Sequence, residues 1–177
     1  PCGPARATMA TGQYPFTHRV FNNPVPLSAH HRQLQHHLRD AGVTPWMIGY
    51  TTSVPDPRGR NPADPAFTGP SVAEGWRVVR EMAEDKSNYM AWARNRQGEP
   101  GLAPHAPDDY DTAFANHLHA GAPVEASPQI DGLHDSRWLA DAAVDVISQQ
   151  QQTPWLLHLG LFRPHPPLAA LARHLAR

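Results

Sequence analysis

The sequence predicts an α/β fold with a mainly parallel sheet, and three observations lead to this. Two short apolar runs, residues 44–50 and 154–161, are typical of buried strands, because strands covered on both faces lose the alternation of polar residues. Each run follows a helical pattern, at 28–41 and at 136–150, as in the repeating units of parallel sheets. The chain has 177 residues, enough for one domain with a substantial core.

Composition excludes several classes of partner. A formal net charge of −1 at pH 7 is not the basic stripe of a nucleic-acid-binding domain. No apolar run approaches the roughly 18 residues of a membrane span and no signal peptide is visible, so we expect a cytoplasmic protein that binds neither nucleic acid nor membrane. Proline makes up 20 of the 177 residues, about twice its usual share, which predicts long irregular stretches such as 53–70.

The first twelve residues predict a short helix with a reactive atom at its start. Pro4 suits a first helical turn, and Gly12 stands where a left-handed C-terminal cap is expected. A helix over 4–11 places Cys2 at its N-terminus, where free N–H groups and the positive end of the dipole favour anions. Arg6 falls on the same face. A nucleophile, a cation and a helix N-terminus predict an oxyanion site; a buried thiol beside a surface arginine is the alternative.

Further candidate residues follow the two predicted strands. Tyr50, Thr51 and Thr52 stand at the carboxyl end of the first strand, where chemistry collects in parallel sheets; packing and turn formation are the alternative roles. His165 lies between prolines just past the second strand, so its freedom is low. His158, inside that strand, is interpreted as a core residue.

Two groups of metal-binding residue types are interpreted as surface features. The histidines of the 28–41 helix do not offer the i, i+4 spacing that zinc sites on helices use, so a solvated polar face is preferred. The aspartates within 108–111 lack the glycine and distal glutamate of a calcium loop, so caps and loop charges are preferred. A short helix is predicted at 87–96 and an amphipathic one at 168–177.

The opening motif resembles the signature of the sulfatase family, part of the alkaline phosphatase superfamily. The sequence matches all of its fixed positions, namely Cys2, Pro4, Arg6, Thr11, Gly12, Tyr14 and Pro15. The resemblance extends along essentially the whole chain and implies a partial alkaline-phosphatase-like α/β/α sandwich with a mainly parallel sheet. It also implies that Cys2 is converted to formylglycine, whose hydrated aldehyde is the nucleophile and a ligand of a divalent metal cation (Mn²⁺, Ca²⁺ or Mg²⁺), and that Arg6 steadies this group.

Further details resemble the phosphonate monoester hydrolase branch. Most arylsulfatases close the corresponding strand on Gly-Lys-Trp-His, whose Lys and His contact the sulfate, whereas this strand ends Gly-Tyr-Thr-Thr. The resemblance implies that Asn23, Tyr50 and Thr52 contact the transferred group. It also implies that His165, in the phrase Leu-Phe-Arg-Pro-His-Pro-Pro, is the general acid for the leaving group. The implied activity is hydrolysis of phosphonate monoesters, phosphodiesters or sulfate esters.

The family also has parts without a counterpart in this sequence. Its metal is held by an Asp-Gln or Asp-Asp pair on the strand before the cysteine and by an Asp-His or Asp-Asn pair well downstream. We therefore expect residues 1–177 to be part of a single sulfatase catalytic domain that lacks its N-terminal strand and its C-terminal metal-ligand region, and to be inactive alone. The alternatives are a non-catalytic histidine-rich metal-binding module and a degenerate fragment. The expected partners are an ester substrate, the formylglycine-generating enzyme and further copies of the chain.

Overall fold

The computed structural model describes residues 1–23, 25–51, 55–64, 72–82, 86–96, 133–149 and 154–162. Within these residues the elements run in the order α1 (Cys2–Thr11), α2 (Pro15–His18), α3 (Leu34–Asp40), β1 (Thr44–Gly49), β2 (Arg77–Glu81), α4 (Ser87–Asn95), α5 (Asp135–Gln149) and β3 (Trp155–Gly160). The mixture of helices and parallel strands confirms the predicted fold class.

The three strands form one parallel sheet with β1 at its centre, in the order β2–β1–β3. The pairing of β1 with β3 confirms the prediction made from their apolar runs, and it continues in register to Gly49 opposite Gly160. On its other side Gly49 lies opposite Glu81, the last residue of β2. The carboxyl ends of all three strands therefore meet at one edge of the sheet.

Strand β2 was not predicted from the sequence. Its residues 77–81 read Arg-Val-Val-Arg-Glu, with charges at both ends, and neither apolar run nor regular alternation marks them. Val78 is 45% exposed and Val79 is 41% exposed. The side chains of this strand are too exposed for a pattern of burial to predict it from the sequence. The strand forms because it pairs with β1, which is distant in the chain.

Helix α1 begins at Cys2, two residues before the predicted start, with Pro1 as its N-cap. Pro4 remains within the first turn, where a missing N–H breaks no intrahelical bond. The helix ends as predicted, because Gly12 adopts a left-handed conformation (φ 67°) and its N–H donates to the carbonyl of Thr8 at 2.8 Å.

The helix predicted over 28–41 is wrong in its first half. The observed helix is α3, Leu34–Asp40, and residues 28–31 form a separate turn. Gln33 caps the helix: its side chain accepts an N–H of the first turn, and its own N–H donates to Nδ1 of His36 at 3.3 Å. This capping box provides hydrogen-bond partners for the N–H groups of Gln33 and His36. The helix therefore starts after Gln33 and not after Ser28.

The chain divides into two compact units. The first comprises residues 1–81 and 143–160 and contains the sheet with α1, α2 and α3. Its centre lies on β1, where Met47 and Ile48 are fully buried. Helix α3 packs against β1, and α1 packs against both α2 and α3. This unit carries the start of α1 and the carboxyl edge of the sheet.

The second unit comprises residues 82–142 and 161–177. Its described part is organised by three aromatic rings: Tyr89 lies 5.9 Å from Trp92 and 5.7 Å from Trp138 between ring centroids. The buried Tyr89 hydroxyl donates to the carbonyl of Leu133 at 2.5 Å, so its polar end is satisfied. The observed α4 and α5 confirm the helices predicted at 87–96 and 136–150.

Some predicted features fall outside the described residues, namely the helix at 168–177 and the aspartates at 108–111. The irregular stretch predicted at 53–70 is described at 55–64, where it contains turns but neither helix nor strand. None of the helices in the described segments combines the length and the apolar character that crossing a membrane requires.

Candidate active site

The start of α1 is held by Asn23, from the loop that follows α2. The side-chain Oδ1 of Asn23 accepts the backbone N–H of Gly3 at 2.9 Å, and its Nδ2 donates to Sγ of Cys2 at 3.4 Å. Gly3 makes this approach feasible, since a Cβ there would lie only 3.0 Å from Cα of Asn23. One amide therefore satisfies a free N–H of the first turn and contacts the cysteine side chain.

Arg6, one turn along α1, is clamped against Tyr50. Its Nη1 donates to the Tyr50 carbonyl oxygen at 2.8 Å, and its Cζ lies 4.5 Å from the centroid of the Tyr50 ring. Tyr50 follows β1 directly, so the contact joins the helix to the carboxyl edge of the sheet. A guanidinium held by both a carbonyl and an aromatic face has few alternative rotamers.

Two glycines allow the strands to pass closely beside Tyr50. A Cβ on Gly160 would lie 2.3 Å from the Tyr50 carbonyl oxygen, and a Cβ on Gly49 would lie 1.9 Å from the Gly160 carbonyl oxygen. Gly49 also has a φ of 95°, a conformation that side chains disfavour. This close passage, which we call the glycine crossing (Gly49 and Gly160), needs both residues to lack a side chain.

Two polar residues that were not predicted as site residues lie near this edge of the sheet. His158 on β3 is half-buried, and its Nε2 is buried without a hydrogen-bond partner among the described residues. Burial, and secondly the positive charge of Arg6, lower the pKa of His158. Glu81 ends β2 beside Gly49, and burial raises the pKa of its carboxyl. The position of His158 in an otherwise apolar strand could have indicated a functional residue. Glu81 could not have been found in this way, because no sequence pattern predicts its strand.

A third unselected residue, His18, connects α2 to α1. His18 is 1% exposed. Its Nδ1 accepts the N–H of Val20 at 3.1 Å, so the ring proton resides on Nε2, which lies 2.9 Å from Oγ1 of Thr8 and donates to it. Burial lowers the pKa of His18. This neutral imidazole links the loop that leads to Asn23 to the middle of α1.

The structure brings four of the predicted site residues to the start of α1 and the end of β1. They are Cys2, Arg6, Asn23 and Tyr50. Thr52 and His165 lie outside the described residues, so their placement stays a prediction. Tyr50 presents its carbonyl and its ring to Arg6, contacts that the sequence did not anticipate.

The described residues do not complete a metal centre by themselves. In the part of the chain that the structure describes, no three His, Cys, Asp or Glu side chains come together as a metal-binding group. Cys2 is the one residue of this sequence that was predicted as a metal ligand, and the contact seen at its Sγ is the Asn23 amide.

The parallel sheet and the helix that contacts its carboxyl edge place the chain in the class of alkaline-phosphatase-like α/β proteins. The profile of the family described as Sulfatase matches residues 1–177. The chain belongs to the sulfatase family, as its opening motif predicted.

Individual relatives agree with this assignment. The chain is 36% identical over 173 residues to the multifunctional alkaline phosphatase superfamily protein PehA of Trinickia caryophylli, covering 97% of this chain and 33% of that protein. It superposes on the phosphonate monoester hydrolase of Agrobacterium radiobacter with a TM-score of 0.77 and 32% identity, covering 97% of this chain and 33% of that one. The phosphonate monoester hydrolase of Silicibacter pomeroyi gives a TM-score of 0.79 and 33% identity, with coverages of 97% and 34%. This chain spans about a third of the length of these relatives.

Proposed function

We propose that this chain carries the nucleophile-bearing part of the active site of a hydrolase that cleaves phosphonate monoesters and phosphodiesters, and sulfate esters less well. The observation that carries the proposal is the double contact of Asn23, whose one amide binds both the start of α1 and the side chain at position 2. The clamped Arg6 supplies a fixed positive charge on the same helix face. Solved structures that resemble this chain are described as phosphonate monoester hydrolases.

The nucleophile in this proposal is a formylglycine made from Cys2 by the formylglycine-generating enzyme. The Asn23 Nδ2–H group donates to the sulfur at 3.4 Å, and an oxygen at position 2 would be a stronger acceptor for that same group. Because the donor is already held by Gly3, it needs no reorganisation to orient the attacking oxygen. A covalent bond from position 2 to the phosphorus or sulfur would then replace the bond to the leaving alcohol.

The substrate preference follows from neutral donors around a single clamped cation. Arylsulfatases place Lys and His where this sequence has Tyr50 and Thr52, and a cationic pair best offsets the charge of a terminal sulfate. A sulfate ester and a phosphodiester each carry one negative charge. The sulfate spreads it over three terminal oxygens, whereas the diester has two and a second substituent, for which neutral hydroxyl groups leave room. Each lost charge-assisted hydrogen bond is worth about 1.5–3 kcal/mol, a rate factor of roughly ten to a hundred.

The family resemblance adds a divalent metal and a general acid to the proposed active site. The metal supplies charge neutralisation at the transferred group when bound, and position 2 would be one of its ligands. His165 would protonate the leaving oxygen, since the ordinary pKa of an imidazole lies near neutrality. Both contributions depend on parts of the protein beyond the described residues.

The test compares catalytic efficiency in the whole protein that carries this chain. Matched aryl phosphonate, phosphodiester and sulfate esters are assayed with enzyme that bears formylglycine at position 2. We expect kcat/KM to be higher for the phosphonate and the phosphodiester than for the sulfate ester by roughly tenfold or more. Cys2→Ala serves as the control and should abolish all three activities together. A clear preference for the sulfate ester would contradict the branch assignment and leave the family unchanged.

A further inference from the structure

His158 and Tyr50 flank one point at the carboxyl edge of the sheet. His158 and Gly160 lie two residues apart on β3, so their side-chain positions share a face. A Cβ on Gly160 would lie 3.3 Å from Nε2 of His158 and 2.3 Å from the carbonyl oxygen of Tyr50. The missing side chain of Gly160 therefore leaves the imidazole and the carbonyl facing the same small space.

Arg6 approaches this same space. Its guanidinium donates to the Tyr50 carbonyl oxygen at 2.8 Å, the atom that would lie 2.3 Å from a Cβ on Gly160. The Nε2 atom of His158 is buried and has no hydrogen-bond partner among the residues that the structure describes. A buried ring nitrogen next to a cation is an unused acceptor where a guanidinium has N–H groups to donate.

Burial, and secondly the charge of Arg6, favours the neutral form of the His158 ring. Burial and the Arg6 charge lower the pKa of His158, so the imidazole is neutral near pH 7 and one of its nitrogens carries a lone pair. A lone pair directed at a guanidinium is attractive, whereas an N–H in that position would be repelled. The Trp76 ring, 5.3 Å from the imidazole between centroids, supports the ring from its side.

We propose that His158 is a positioning residue for Arg6: the lone pair on its unpartnered Nε2 attracts the guanidinium electrostatically, without a hydrogen bond between them in this structure, and so favours the placement of Arg6 against the carbonyl and ring of Tyr50. His158 acts through Arg6 and does not touch the substrate. The geometric part stands on the contacts above, whereas the effect on turnover rests on the proposed function of Arg6.

The geometric part is tested by ¹⁵N NMR of histidine-labelled whole protein, which reports the protonated ring nitrogen and the pKa without any assay of activity. The His158 signal is identified by its loss in His158→Gln. We expect the wild-type ring to carry its proton on Nδ1 with Nε2 bare, and the pKa of His158 to rise in Arg6→Met. A proton on Nε2 in the wild type, or a pKa of His158 that Arg6→Met leaves unchanged, would overturn the proposal.

The effect on turnover is tested with two variants and one control. His158→Phe keeps the ring volume without an acceptor, and we expect kcat to fall by about tenfold. His158→Gln places an amide oxygen near the former Nε2 position and should recover most of that loss. Leu156→Ala, two residues earlier on the same face of β3, should lower the Tm and leave kcat nearly unchanged.

Equal losses in His158→Phe and His158→Gln, or full kcat in His158→Phe, would contradict the positioning role. A wild-type protein that hydrolyses none of the aryl esters would instead contradict the proposed function, and the NMR result would still decide whether His158 faces Arg6.

Discussion

A single amide, the side chain of Asn23, joins the two features that make the start of α1 a candidate site. Its oxygen stabilises the first turn through Gly3, and its nitrogen contacts Cys2. The family resemblance assigned Asn23 a contact with the transferred group, and the structure adds the backbone contact that orients the amide. Because the oxygen is engaged by an N–H, the amide nitrogen must point toward position 2.

The two contacts of Asn23 can be separated by substitution. Asn23→Ala removes both, so we expect a loss of about 1 kcal/mol in the free energy of unfolding, as for other helix-start acceptors, together with a large loss of kcat/KM. Asn23→Asp keeps an acceptor for Gly3 and removes the donor to position 2. This variant should retain stability yet lose about a hundredfold in kcat/KM. Urea denaturation and steady-state kinetics on the whole protein measure the two effects; an Asn23→Asp variant with normal kcat/KM would rule out the donor role.

Among the elements, the glycine crossing sets the distance between β1 and β3 where Tyr50 turns toward Arg6. Gly49 and Gly160 lie opposite each other in register, and neither has room for a side chain. Strands normally sit about 4.8 Å apart with side chains above and below the sheet. Here a backbone carbonyl occupies the space of a side chain, which lets Arg6 reach it.

Substitution at the crossing should cost more than substitution at a glycine of similar backbone conformation. Gly59→Ala is the matched control, because Gly59 has a φ of 75° and open space around its Cβ position; it should cost about 1–2 kcal/mol from the left-handed conformation alone. Gly49→Ala adds a clash with the Gly160 backbone and should cost roughly a further 1–3 kcal/mol. Free energies of unfolding from urea titrations measure the difference. Equal costs would show that the crossing relaxes freely.

The link between α1 and α2 through His18 predicts a dependence of stability on pH. The folded-state pKa of His18 lies below its ordinary value of 6.5 because the ring is buried, so the unfolded chain binds this proton first as the pH falls. The stability that this difference in pKa contributes is fully present above pH 6.5, and it is lost as the pH falls below that value toward the pKa of His18 in the folded state. His158, whose pKa is also lowered, adds in the same direction.

This dependence is measured as the free energy of unfolding between pH 7.5 and pH 5. We expect a decrease toward acid pH in the wild type and a smaller decrease in His18→Gln. His30→Gln, at an exposed histidine outside the α1–α2 link, is the control variant. An unaltered slope in His18→Gln would show that this imidazole does not titrate on unfolding.

For the whole molecule, the relation to its relatives sets the expectation for the isolated chain. The chain spans about a third of their length, and its described residues assemble no group of three metal-ligating side chains. Within the described residues, therefore, no metal-binding group of carboxylates accompanies Cys2 and Arg6; the family resemblance places such carboxylates in other segments. The charge on the transferred group would have no divalent counter-charge.

We therefore expect the purified 177-residue chain to show no measurable hydrolysis of aryl phosphonate, phosphodiester or sulfate esters with added Mn²⁺ or Ca²⁺. The loss of metal stabilisation is worth several kcal/mol in the barrier, enough to take the rate below detection. The whole protein assayed under the same conditions is the positive control. Metal-dependent turnover by the 177-residue chain that Cys2→Ala abolishes would refute this expectation.

The sequence by itself determined the features that depend on near neighbours. The start motif and Gly12 define α1, the apolar runs define β1 and β3, and the spacing of Cys2 and Arg6 places both on one helix face. Each of these features depends on residues a few positions apart, so their helix and strand preferences can be recognised in a short stretch of sequence. The seven-position motif likewise identified the sulfatase family from contiguous sequence.

Only the tertiary structure decided which distant groups meet. Strand β2 has no apolar pattern of its own and exists by pairing with β1, and the capping box at Gln33 shortened a helix that composition favoured. The carbonyl of Tyr50 turns to Arg6 because two glycines, 111 positions apart in the numbering, face each other across β1 and β3. Register between strands is set by contacts across the whole chain, and no local preference encodes which residue will lie opposite another.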